Sequence, residues 1–144
     1  MLVRFDSSLE MRLGCVKMDM VNKDMERITL RIEKTRACFS YHVTSRIVGW
    51  VYACGQGDNL YLEDLHVRTE FQHVGIGNKL LREVIDFAER SSYRSITLLA
   101  VPNGYSKDSR KSLDSVALRR FYEKRGFRNL GLDRPYETAM MRYL

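Results

Sequence analysis

The run Phe71-Gln72-His73-Val74-Gly75-Ile76-Gly77-Asn78-Lys79 constrains the fold of this chain more than any other stretch, because it lies between a strand-like segment, residues 60–67, and a strongly amphipathic one, residues 77–90. Glycine tolerates left-handed backbone and lets the main chain come close to a bulky group. A helix starting behind such a turn offers unpaired N–H groups and a positive dipole end. The combination is a cradle for an anion of pyrophosphate size. Its pattern, Gln72-x-x-Gly75-x-Gly77, is neither G-x-x-x-x-G-K-[ST] nor G-x-G-x-x-G, so the P-loop and Rossmann readings both fail. Leu80, Leu81, Val84, Ile85 and Ala88 recur at three- and four-residue spacing, which predicts a helix over 77–90. Residues 96–101, too few for a helix and followed by Pro102, read as a buried strand. Strand, helix and strand in that order imply parallel neighbours joined by a right-handed crossover, with a ligand at the carboxyl end of the first strand.

Upstream the pattern changes period. Ile28/Leu30/Ile32 and Phe39/Tyr41/Val43 alternate with polar residues, and a meander of strands over 28–33, 37–44, 47–53 and 60–67 follows, with turns at Thr44-Ser45-Arg46 and Gly55-Gln56-Gly57-Asp58-Asn59. Residues 1–26 show short apolar pieces without a clean period, and a short helix is expected over 18–25. The polar stretch 102–114 is long for a connection, which marks it as a functional or mobile loop. No repeat or low-complexity linker interrupts the sequence, so residues 1–144 are read as one domain with one core.

Composition narrows the function classes. Cys15, Cys38 and Cys54 are odd in number and form no C-x-x-C, and the three histidines have no ligand spacing, so neither a disulfide framework nor a metal site is expected. A reducing compartment fits, and with no long apolar stretch the expectation is a soluble cytoplasmic protein without a membrane partner. The net charge of +6 includes clusters at Arg119-Arg120-Glu123-Lys124-Arg125 and between Lys107 and Lys111. Without an aromatic-interleaved basic stripe, a solvated helix face is preferred over a nucleic-acid platform.

Three motifs in order give the chain a relative. Tyr61-Leu62-Glu63-Asp64-Leu65-His66-Val67, then Gln72-x-x-Gly75-x-Gly77, then Phe121-Tyr122-Glu123-Lys124-Arg125-Gly126-Phe127, a helix end stopped by glycine, resemble the GNAT superfamily of acetyl-CoA-dependent N-acetyltransferases over residues 47–130. The Tyr-Leu-Glu-Asp string with the downstream Phe-Tyr-x-x-Arg-Gly looks like the diamine acetyltransferase branch, in which the two acids meet a cationic substrate. The resemblance implies an α/β fold: a single mixed, mostly antiparallel sheet with a parallel strand-helix-strand unit at the coenzyme site. It leaves a homodimer open. Members of the superfamily place two helices between their first and second strands as a wall of the acceptor site. Here only Thr35-Arg36 separates the first two meander strands, so either an earlier strand lies in residues 1–10 or the wall is missing. A missing wall would make a broad groove suited to a protein lysine or other macromolecular acceptor, with a small polyamine or other small amine as the alternative.

The reaction implied is attack of an amine on a thioester. A lysine-type amine with pKa about 10.4 costs about 4–5 kcal/mol to deprotonate at pH 7, so a base must help. Glu63 is expected as that base and Asp64 as its charge partner, on opposite faces of the strand unless a bulge intervenes. The resemblance gives Tyr122 the role of acid toward the departing thiolate, against a simple packing role. Coenzyme contacts are expected from the backbone of Leu65, His66 and Val67, from Gln72, His73, Val74, Gly75, Ile76, Gly77, Asn78 and Lys79 around the anion, and from Ser115, which stands where many relatives carry asparagine. His73 replaces a frequent arginine or lysine, which leaves Gln72, Lys79 and backbone amides to hold the charge. A non-catalytic coenzyme-A-binding module is the competing reading from another class.

Overall fold

Ile28, Leu30 and Ile32 alternate with Thr29 and Arg31, and burial follows the alternation in the computed structural model of the chain, which describes residues 16–18, 25–101, 112–131 and 138–144. These residues form β2 (Glu26–Glu33), preceded by a short β1 (Val16–Met18) and followed by β3 (Arg36–Val43), β4 (Arg46–Gln56) and β5 (Asn59–Val67), each antiparallel to its predecessor. Helix α1 (Ile76–Arg90) leads to β6 (Ser95–Ala100), and helix α2 (Ser112–Glu123) leads to β7 (Arg128–Asn129) and β8 (Thr138–Tyr143). Among the described residues the sheet has eight strands in the order β1-β2-β3-β4-β5-β6-β8-β7. Among these described strands only β5 and β6 run parallel. This is the mixed, mostly antiparallel α/β sheet expected from the sequence.

Helix α1 buries Ile76, Leu80, Leu81, Val84, Ile85, Phe87 and Ala88 against β3, β4 and β5. The helix comes close because residue 49 is glycine: a Cβ there would lie 3.2 Å from the side chains of Ile76 and Leu80. Phe39 meets Phe87 edge to face, with ring centroids 5.6 Å apart. Each large side chain buried in this layer is worth roughly 1.5–3 kcal/mol.

Several local expectations shift. Strand β4 runs to Gln56 rather than stopping near Ala53, because Gly55 is a strand residue whose missing Cβ makes room for the Tyr93 hydroxyl. The reversal is the shorter Gly57-Asp58 turn. Met18 belongs to β1, paired with Ile28, not to a helix, and residues 19–24 lie outside the described residues. β1 supplies a strand before β2 at 16–18, and the expected strand within 1–10 falls, with all of residues 1–15, outside the described residues. The Lys34-Thr35 turn between β2 and β3 leaves no length for two helices. No helix among the described residues is long and apolar enough to cross a membrane.

Candidate active site

Strands β5 and β6 pair only where Asn59–Leu62 runs alongside Ser95–Leu98. That end is pinned by side chains: Asn59 donates to the Thr97 hydroxyl at 2.7 Å and accepts from Ser95 at 2.9 Å. Past Leu62, β5 stays with β4 while Leu99 and Ala100 pair with β8, so the parallel strands part into a wedge. The Arg68 amide donates to the Val48 carbonyl at 2.8 Å. Antiparallel alternation then turns the main-chain groups of Asp64 and His66 toward β4, and those of Leu65 and Val67 toward the wedge. Leu65 and Val67 are thus turned toward the open wedge. His66 is not: its backbone is spent on β4, and its ring lies against Trp50 with centroids 4.5 Å apart.

At the open end of the wedge the chain makes a short 3₁₀ turn, Thr69–Phe71, and enters α1 through left-handed backbone at His73 (φ 64°) and Gly75 (φ 90°). No side chain caps the helix, whose first bond runs from the Lys79 amide to the Gly75 carbonyl at 3.0 Å. The N–H groups of Ile76, Gly77 and Asn78 have no intrahelical acceptor. A Cβ built on Gly75 meets nothing within 4 Å, so the space in front of this turn is open. At Gly77 a Cβ would meet Phe121 at an ordinary 3.7 Å, so packing alone does not demand glycine there. The Val74 side chain is exposed, and that of Ile76 is buried in the core.

The side chains expected to hold the anion are mostly engaged elsewhere. Gln72 donates to the Val67 carbonyl at 2.9 Å, bracing the loop against β5. Lys79 points back over the sheet, 3.3 Å from the Tyr41 hydroxyl and 3.6 Å from Glu26. Asn78 accepts from Arg125 Nε at 2.6 Å, and Arg125 also donates to the Phe121 carbonyl at 2.5 Å while lying over the Phe121 ring at 4.0 Å. Arg125, read in the sequence as part of a basic cluster and of the helix-end motif but not as a site residue, thereby brings a guanidinium beside the start of α1. The side chain of Ser115 is outside the described residues.

The two acids share a face. Tyr52 pairs with Asp64 but Ala53 with Leu62, so Glu63 is the extra residue of a β-bulge. Glu63 meets Arg36 at 2.6 and 3.4 Å, and Asp64 accepts from Trp50 Nε1 at 3.1 Å. Arg36 pairs with Cys54 across the ladder, so both partners stand on the Trp50/Tyr52/Cys54 face. Beside Glu63 lies a concavity of about 670 Å³ lined by Arg31, Ile32, Glu33, Lys34, Thr35, Arg36 and Cys54.

Helix α2 ends at Gly126 (φ 87°), with the Phe127 amide bonded to the Tyr122 carbonyl and the Gly126 amide to that of Glu123, a Schellman turn. It fixes Tyr122, 5 % exposed, between the rings of Phe121 and Phe127 at 5.1 and 5.5 Å. Burial, and secondarily the charge of Asp64, push its phenol well above the ordinary value. The group stays protonated, but donating to a thiolate whose thiol pKa is near 8.5 is uphill by more than the roughly 2 kcal/mol of an unperturbed phenol.

A family model for the acetyltransferase (GNAT) domain matches residues 34–129. The chain belongs to the GNAT acetyltransferase family. Among curated proteins, thialysine N-epsilon-acetyltransferase of Sus scrofa is 38 % identical over 39 residues, a stretch that is 27 % of this chain and 23 % of that protein. Among solved structures, the PaiA N-acetyltransferase of Thermoplasma acidophilum in complex with coenzyme A superposes with TM-score 0.62 at 19 % identity, covering 76 % of this chain and 62 % of that one. The IAA acetyltransferase of Bacillus cereus gives TM-score 0.60 at 17 % identity over 76 % and 79 %, and a GNAT protein of Elizabethkingia anophelis with acetyl-CoA bound gives 0.58 at 17 % over 76 % and 77 %. At these identities the structural likeness establishes the fold. Within this GNAT chain, sequence reasoning missed Trp50, Arg36 and Arg125. The bulge did leave a trace: apolar Leu60, Leu62, Leu65 and Val67 are spaced two, three and two apart, and the odd step falls on Glu63. Among the described residues no group of three or more His, Cys, Asp or Glu could hold a metal ion.

Proposed function

We propose that the chain transfers acetyl from acetyl-CoA to a primary amine. The observation that carries this reading is the wedge that exposes Leu65 and Val67 main chain and ends at the uncapped start of α1, in a chain of the GNAT family. The cradle fits the coenzyme: Gly75 leaves open space, the amides of Ile76 to Asn78 lack helical acceptors, and Arg125 adds positive charge nearby. Leu65 and Val67 suit the amides of a pantetheine arm laid along the wedge as an added strand.

In the reaction one proton leaves the ammonium to the base, the freed amine nitrogen bonds to the thioester carbonyl carbon, the C–S bond breaks, and the nitrogen loses a second proton as the amide forms. The thiolate takes up one proton, so one is released to solvent overall. Asp64 is the better base, directly or through water. Its one described hydrogen-bond partner is the neutral Trp50 N–H, and its charge is felt at Tyr122, whereas both Glu63 oxygens face Arg36. Tyr122 is the acid for the leaving thiolate, its proton retained by burial and its ring held by Phe121 and Phe127. The lack of length for two helices between β2 and β3 supports a broad groove and a macromolecular acceptor, while the name of the Sus scrofa relative supports a smaller amine.

The test is thiol release from acetyl-CoA by the purified chain against spermidine, lysine peptides, N-terminal peptides and free diamines. Amine-dependent release above background hydrolysis supports the reading. Tight coenzyme A binding with no amine-dependent release from any of them would leave a non-catalytic binding module instead.

A further inference from the structure

The concavity beside Glu63 has an unusual charge arrangement for a site that would receive only cations. Its described lining carries three cationic side chains, Arg31, Lys34 and Arg36, against two carboxylates. Both carboxylates are engaged by arginine at 2.6 Å, Glu33 by Arg31 and Glu63 by Arg36. A polyamine entering here would satisfy Glu63 but leave Arg36 unpaired among like charges. A simple acid would do the reverse.

We propose that the Arg36–Glu63 ion pair is a slot for a zwitterionic acceptor, a small molecule carrying a carboxylate as well as its primary amine. The carboxylate takes Arg36, whose guanidinium offers a fork of donors, and the ammonium takes the vacated Glu63, so one ion pair is exchanged for two and no charge is stranded. Arg36 is 57 % exposed and Glu63 27 %, and ion pairs this accessible contribute little to stability, so parting them costs little. The bulge is what lets Glu63 stand on this face next to Asp64, which keeps the slot adjacent to the proposed base. Arg36 becomes the residue that sets specificity, and it acts on acceptor binding rather than on the coenzyme.

This inference rests on the acetyltransferase reading but can fail separately. Lysine and cadaverine differ only in the carboxylate, and their kcat/KM values would be compared with their binding by ligand-observed NMR in the presence of coenzyme A. Lysine is expected to exceed cadaverine at least tenfold in both. Arg36→Gln should lower kcat/KM for lysine at least tenfold, mainly through KM, while cadaverine gains, and Arg36→Lys should restore part of the preference. Equal or reversed preference in the parent, no binding of either amine, or an equal loss of both in Arg36→Gln at unchanged melting temperature would overturn the slot. Absence of coenzyme A binding would overturn the acetyltransferase reading instead, while the NMR preference for lysine over cadaverine would still decide the slot.

Discussion

Two glycines offer a matched pair for testing the cradle. Gly75 (φ 90°) and Gly57 (φ 60°) both have left-handed backbone, and a Cβ at either meets nothing within 4 Å. Gly75 opens α1, while Gly57 sits in the β4–β5 turn at the other end of β5. Valine at either site costs backbone strain of about 1–2 kcal/mol and no clash inside the protein. With an unfolding entropy of about 2.1 cal/mol/K per residue over this chain, that is a fall of about 3–7 °C in Tm for both variants. Coenzyme A binding should separate them. If a valine at 75 displaces the anion from two charge-assisted amide bonds, the loss is about 3 kcal/mol, or roughly a hundredfold in Kd, whereas Gly57→Val should bind as the parent does. Calorimetric titration and thermal melts of the three proteins decide it. Equal affinity of Gly75→Val and Gly57→Val would refute the cradle even if both are destabilised as described.

Two other perturbations read the site and the sheet. Tyr122→Phe keeps the ring that packs on Phe121 and Phe127, so coenzyme affinity should stay within twofold while the single-turnover rate falls at least tenfold, and an unchanged rate would mean that the hydroxyl only fills space. His42 has its Nε2 3.0 Å from the Thr29 hydroxyl and its Nδ1 buried without a partner, and burial, with Arg27 second, holds its pKa below the ordinary value. Between that lowered pKa and about 6.5 the unfolded chain binds more protons than the folded one, so this group's contribution to stability is complete above pH 6.5 and is lost as pH falls. Denaturant melts at pH 7.5 and 5.5 should show a smaller acid loss in His42→Gln than in the parent, and an equal loss would remove His42 as a cause.

Much of the fold was legible because its signals are local. Alternation at Ile28/Leu30/Ile32 and Phe39/Tyr41/Val43, the helical stripe from Leu80 to Ala88, and the Gly126 stop each bury apolar surface or relieve strain within a few residues. The side-chain roles at the site depend on contacts distant in sequence. Lys79 finds Tyr41 and Glu26, Arg125 finds Asn78, and Glu63 finds Arg36, so a lysine or glutamate beside a glycine loop says little about where its charge ends up. β8 escaped notice because Thr138-Ala139-Met140-Met141-Arg142-Tyr143 is weak in β-branched residues and is held in place by pairing with β6. Gly55 was misread because close approach to Tyr93, rather than a turn, is what calls for glycine there.

Amide exchange, with and without coenzyme A, tests the placement of the ligand most directly. In the free protein the amides of Leu65 and Val67 face the wedge and should exchange faster than those of Asp64 and His66, which face β4. Coenzyme A should slow Leu65 and Val67 together with Ile76, Gly77 and Asn78, and leave Asp64 and His66 as they were. Binding that is confirmed by calorimetry yet leaves Leu65, Val67 and the first turn of α1 unprotected would contradict the account.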